Sequence, residues 1–289
     1  DNSSLSIYGL KKFYSENLQI LSEILYESTF NEKSIKILKE KQLNKLRLNQ
    51  EKGAYLCSIN LRKSLFGNHP YGYHLTEQGI HSVQREDLLS FLSNQIQYFD
   101  IYISGDLPSD YLTQLEACFP IKTQGVSKRS IELPHLSASQ ETRNAKFIQS
   151  SIKAGKRHLT RKHPDYFKFA LTNELFGGFF GSRLMTNIRE DKGYTYGIYS
   201  TLIPMNDVGY YIISTDVKGD FEKETIAEIE KELDILQNKL VSEDELETVK
   251  NYMLGSFINS FTHPFAAITK FKSLRQQNIS LDFYQTYLN

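Results

Sequence analysis

The stretch that decides the fold runs from Asn173 to Ser200 and reads NELFGGFFGSRLMTNIREDKGYTYGIYS. Gly177, Gly178 and Gly181 separate two segments of helical apolar spacing, the pattern of a helix that stops and lets another stretch of backbone come close. No Lys-Ser or Lys-Thr pair completes a phosphate loop behind these glycines. Ser182 to Glu190 reads as a short second helix, and Tyr194 to Ile203 alternates in the manner of a strand. Arg189 and Tyr196 stand on either side of the turn between them.

Downstream, Gly209 to Val217 alternates again across the intervening Pro204 to Val208, so the two strands predict a hairpin. Long helices follow over Phe221 to Leu240 and Glu243 to Phe261, the latter capped by Ser242 with Glu245 three residues on. The segment Leu281 to Leu288 reads as a helix cut short. Upstream, a strand over Lys146 to Ala154 precedes a helix that Pro164 starts and Gly177 ends.

The first part of the chain has apolar residues at helical spacing over Leu10 to Leu25, Ile35 to Leu48 and Tyr55 to Leu65. Phe66 to Gly79 reads as a loop, and Gln84 to Ile96 as a helix with Ser82 at its N-cap. Phe99 to Ser104 reads as a strand that turns at Gly105, Asp106 and Pro108 into a helix from Ser109 to Cys118. The predicted class is therefore α+β, with two related lobes, each a mainly antiparallel sheet with helices packed on one face. The first lobe spans residues 1–120, a linker 121–144, and the second lobe 145–289. The first lobe reads as entered midway and the second as trimmed.

With 289 residues and 40% hydrophobic content the chain can bury two cores. Lys plus Arg and Asp plus Glu both number 34, so no net field favours nucleic acid. No apolar run is long enough to span a bilayer. The chain reads as soluble, cytoplasmic or periplasmic. Cys57 and Cys118 form no C-x-x-C, and the histidines at 69, 74, 81, 135, 158, 163 and 263 form no H-E-x-x-H or H-x-x-E-H pair. His69 and His74 share a loop without a carboxylate at ligand spacing.

The opening segment resembles the signature of the pitrilysin/insulinase metallopeptidases, the inverzincin family that includes the mitochondrial processing peptidase. Gly177, Gly178, Ser182, Arg183, Leu184, Arg189, Glu190, Gly193 and Tyr196 match it. LFGNHPYG over 65–72, GDLP at 105–108 and KHPDY at 162–166 follow the family's order and spacing. The resemblance implies a small two-lobe subunit and gives Arg189 and Tyr196 the role of binding peptide carbonyl oxygens. A guanidinium and a phenol so placed stabilise the negative charge that develops when the carbonyl is attacked, each donor being worth about 3 kcal/mol. Arg183 is expected to be structural, pairing with a carboxylate such as Glu174 or Glu190.

Active members begin with H-x-x-E-H, whose equivalent would lie upstream of Asp1. The family's later zinc-ligand Glu and its companion align with Lys45 and Leu38. A protonated lysine has no lone pair and opposes a divalent ion, and Glu40 lies well round the helix from Lys45. No metal is therefore expected in this chain. Zinc is expected on a partner subunit or on a missing N-terminal segment.

The preferred expectation is the non-catalytic subunit of a two-chain zinc endopeptidase, inactive alone. It would pair with an H-x-x-E-H-bearing subunit as a heterodimer, or form a homodimer, and bind unfolded peptide, partly as an added strand. One alternative is a piece of a self-sufficient zinc metalloendopeptidase. A second is a structural or assembly subunit without catalysis.

Overall fold

The computed structural model describes residues 3–95, 99–119, 132–133, 139–142 and 147–288. The chain divides into two compact units, one of residues 1–48 and 74–132, the other of residues 49–73 and 133–289. The second unit thus takes in 49–73, which the sequence reading placed in the first lobe. Most of the linker expected over 121–144 lies outside the described residues.

In the first unit, α1 (Tyr14–Tyr26) and α6 (Tyr111–Cys118) pack through Leu18, Leu115 and Phe119. Helix α2 (Glu32–Gln50) turns Leu43 and Leu46 inward. The region read as loop and helix between 66 and 96 holds two helices, α4 (Glu77–Ser82) and α5 (Arg85–Gln95). Ser82 ends α4 instead of capping α5, and the Asp87 carboxylate accepts from the Gln84 N–H at 2.7 Å at the start of α5. The strand expected over Phe99 to Ser104 is not formed. Residues 99–104 run as irregular backbone, since alternation alone does not make a ladder.

The second unit carries one antiparallel sheet in the order β1-β3-β2, from β1 (Gln149–His158), β2 (Thr195–Pro204) and β3 (Gly209–Lys218). The predicted hairpin closes with the Met205 N–H donating to the Val208 carbonyl at 3.0 Å. Side chains alternate along β3, so its two faces meet different partners. Ile213 joins Phe176, Leu184, Met185, Ile188, Ile198 and Ile229 in the main core. Val208 and Tyr210 pack instead on Leu61, Leu65 and Phe66 of α3 (Gly53–Phe66). Helices therefore cover both faces of this sheet, one from each side of the linker in sequence.

Helix α7 (Tyr166–Asn173) leads into the motif, and α8 (Glu222–Asn238), α9 (Glu243–Asn259), α10 (Pro264–Gln276) and α11 (Asp282–Leu288) complete the unit. Ser242 caps α9 as expected, its Oγ accepting from the Glu245 N–H at 3.3 Å. No helix among the described residues is long and apolar enough to cross a membrane.

Candidate peptide-binding site on the second unit

The decisive stretch folds as two π-helical segments, Glu174–Gly178 and Met185–Asp191, separated by the Phe179–Ser182 turn. A π turn holds one extra residue, which widens the helix and shifts the side chains that follow. Leu184, Met185 and Ile188 are fully buried. With those three inward, Arg189 and Glu190 face outward. Asn187 locks the second segment to α8, its Nδ2 donating to Glu228 at 3.0 Å and Glu232 at 2.7 Å. Lys192 adds an ion pair to Glu228 at 3.2 Å. These donors, Asn187 first and then Lys231 and Lys192, hold the Glu228 carboxyl down to about 2.

The glycines act as their positions require. A Cβ at Gly177 would stand 2.8 Å from the Ser200 backbone nitrogen on β2, so only glycine lets the segment lie this close to the strand. At Gly178 an added Cβ would meet the Glu174 carboxylate instead. Gly193 has φ +67°, the left-handed turn that sends the chain from the second π segment into β2. Asn173 and Ser200 clasp the same junction: the Ser200 Oγ donates to Asn173 Oδ1 at 2.6 Å, and the Asn173 Nδ2 donates to the Ser200 carbonyl at 3.1 Å. Both are buried.

At its start β2 is irregular. Thr195 pairs with Val217 and Ile198 with Thr215, so Tyr196 and Gly197 together oppose Asp216 alone, which is a β-bulge. The N–H of Gly197 donates to Thr195 Oγ1 at 3.1 Å, within the bulge itself. The bulge turns Tyr196 outward, leaving its side chain 93% exposed on the edge strand.

Arg189 comes to the same place. Its Nε donates to the Tyr196 carbonyl at 3.0 Å, and its guanidinium lies 4.6 Å from the Phe180 ring centroid. Glu190 is a loose neighbour at 3.6 Å from Nη1. The terminal nitrogens remain able to donate to an incoming carbonyl. The two predicted site residues are thus joined, but through the Tyr196 main chain and not its phenol.

Arg183 is structural, with a different partner from either one expected. Its Nε and Nη2 donate to the Glu245 carboxylate at 2.7 and 2.8 Å, a bidentate pair that ties the motif to the first turn of α9. Glu174 has no ion pair among the described residues, and burial raises its carboxyl. Ser182 is buried with no hydrogen-bond partner for Oγ among the described residues. Sequence reading missed the Asn173–Ser200 clasp and the Thr195 bulge. An Asn opening the motif and a Ser closing it were the only signals.

Zinc does not fit the residues described. Leu38 and Lys45 both lie exposed on α2, as does Glu40. Among the described residues no group of three or more His, Cys, Asp or Glu stands together to hold a metal ion. His69 is engaged elsewhere, its Nδ1 accepting from the Tyr71 N–H at 3.2 Å. Cys57 and Cys118 are free thiols.

Known proteins share the sequence and fold of this chain. Over 247 residues the chain is 24% identical to an uncharacterized zinc protease, YmxG, of Bacillus subtilis, covering 84% of this chain and 60% of that protein. It is 22% identical over 267 residues to the non-peptidase homolog YmxG of Helicobacter pylori, covering 89% and 61% respectively. The chain therefore spans about three fifths of the length of these curated relatives. The crystal structure of a peptidase M16 inactive domain from Pseudomonas fluorescens superposes with a TM-score of 0.75 at 22% identity, covering 94% of this chain and 67% of that one. Residues 82–253 match the family described as the peptidase M16 inactive domain, more than half of the chain, and the protein belongs to that family.

Proposed function

We propose that this chain is the substrate-binding, zinc-free part of a two-component peptidase, presenting Arg189 and Tyr196 to the carbonyl oxygens of an unfolded peptide. The observation that carries the reading is the bulge on edge strand β2. Tyr196 is exposed there, and the Arg189 Nε is fixed by the Tyr196 carbonyl, which supports the reading. A peptide laid along the edge of β2 that no described strand pairs with gains main-chain hydrogen bonds from the strand and meets both donors at its carbonyls. Arg189 is fixed before the peptide arrives, so little ordering is left to do on binding.

Hydrolysis itself is assigned to a chain or segment with H-x-x-E-H, as neither Leu38 nor Lys45 can ligate zinc. The relative named a non-peptidase homolog supports a chain without its own catalysis. The test is to mix the chain with an H-x-x-E-H-bearing subunit and follow cleavage of a fluorescent unstructured peptide. Cleavage appears only in the mixture, Arg189→Ala lowers it about 100-fold and Tyr196→Phe about tenfold, in line with loss of a preorganised donor. Cleavage by this chain alone, or unaltered cleavage with both variants, rejects the reading.

A further inference from the structure

A second cluster of polar groups lies in the second unit, where the loop at Arg161 meets α9, α10 and α11. The Arg161 Nη1 donates to Ser273 Oγ at 2.6 Å. Lys270 stands three residues before Ser273 on α10, on the same face of the helix. The two cations are therefore neighbours, and after burial the Arg161 charge is the next influence pulling the Lys270 ammonium below its usual range. Among the described residues neither has a carboxylate in ion-pairing range. The Arg161 Nε is buried without a hydrogen-bond partner among the described residues.

The walls are aromatic. Lys270 Nζ lies 5.9 Å from the ring centroid of Phe257 on α9 and 5.3 Å from that of Phe261, just beyond the end of that helix. Arg161 lies 6.0 Å from the Phe283 ring centroid on α11. The adjacent Tyr284 packs on Phe257 and Phe261, and its phenol is pushed up by burial against a downward pull from Arg161. Ring faces offset part of the cost of crowding two positive charges into a half-buried place, but cation–π contacts at this range leave most of the hydrogen-bonding capacity unused. Surface cations ordinarily meet that need with water. The buried Nε cannot.

We propose that Arg161 and Lys270 form a binding site for a carboxylate carried on an apolar or aromatic stem, such as the C-terminal carboxylate of a peptide ending in a hydrophobic residue. The anion sits between the two cations, and its stem packs on the rings of α9 and α11. The inference does not depend on what Arg189 and Tyr196 bind.

The test uses the whole chain and three probes: a short peptide ending in phenylalanine with a free carboxylate, the same peptide amidated, and 3-phenylpropanoate. Binding is read by calorimetry and by NMR shifts of α10 amides at fixed ionic strength. The free-acid peptide binds and the amide does not. Equal binding of 3-phenylpropanoate makes the source a free organic acid, and weaker binding makes it a peptide terminus; both support the site. Arg161→Gln and Lys270→Met each weaken binding about tenfold, as expected for loss of one charge-assisted bond, while Lys270→Arg retains it. If Arg161→Gln does not fold, Lys270→Met decides alone. Equal binding of acid and amide, or shifts that chloride reproduces at the same ionic strength, overturns the proposal.

Discussion

Replacing Arg183 with Met tests how the motif is held to the rest of the second unit. The guanidinium is 16% exposed and the Glu245 carboxylate 33% exposed. Exposed ion pairs are worth about 0–1 kcal/mol, whereas breaking a fully buried pair costs about 3–5 kcal/mol. Two charge-assisted bonds in partial burial place the loss between these, and the unpartnered Nη1 subtracts from what the wild type gains. The expected cost of Arg183→Met is about 2 kcal/mol, a fall in Tm of roughly 4–8 °C.

Glu245 is held below its ordinary value of 4.5 by its bond from Arg183, so its folded pKa lies below its unfolded one. The pair therefore contributes fully above the unfolded pKa and loses its contribution as pH falls through the folded pKa. The stability gap between wild type and Arg183→Met should be constant near neutrality and close in acid. Urea titrations of wild type, Arg183→Met, Glu245→Gln and the double variant, repeated from neutral to acid pH, measure both the coupling and its pH dependence. A coupling under about 0.5 kcal/mol, or a gap that does not change with pH, refutes the account.

Further outcomes follow from the same geometry. Gly177→Ala brings a Cβ to 2.8 Å from the Ser200 backbone and costs about 1–3 kcal/mol, measured by denaturation. Gly193→Ala strains a φ of +67° and costs about 1 kcal/mol, with hydrogen exchange rising at the start of β2. Asn187→Ala removes the first of the donors on Glu228, so the carboxyl titrates above about 2 and the acid unfolding midpoint moves to higher pH; an unchanged midpoint contradicts this. Ile188→Ala in the main core costs about 2–5 kcal/mol, read by urea midpoint.

The apolar register of the motif was legible because Leu184, Met185 and Ile188 carry the spacing of any buried helical face, and π turns leave that spacing nearly intact. The π turns themselves were not legible, since an inserted residue changes the hydrogen bonds and not the residue types. The partner of Arg183 escaped notice for another reason. Glu174 and Glu190 are near in sequence, while Glu245 comes near only once α9 has docked. Ser242 and Glu245 read as a reciprocal capping box, yet the Glu245 carboxylate goes to Arg183 and only the Ser242 half forms.

Grouping by sequence order failed where packing crosses the chain. Helix α3 belongs with the sheet of the second unit because Leu61, Leu65 and Phe66 fit the face that Tyr210 exposes. Alternation at Phe99 to Ser104 named an intrinsic preference, and such a preference alone makes no sheet. Helix α10 was passed over, although His263 and Pro264 mark its start, with the His263 Nδ1 accepting from the Ala266 N–H at 3.2 Å. For the site, Arg189 and Tyr196 were visible through resemblance. The bulge that brings them together is written only in the backbone.

The widened turns around Arg189 make its aim depend on the number of residues in the segment as well as on their identity. Deleting one residue between Met185 and Asp191 would restore an ordinary α-helix, a locally better one, and rotate everything beyond the deletion by about 100°. Arg189 would then swing away from Phe180 and from the strand, while the core residues ahead of the gap stayed in place. A deletion ahead of Arg189 would thus take away the guanidinium's bond to the Tyr196 carbonyl while the buried residues before it kept their packing.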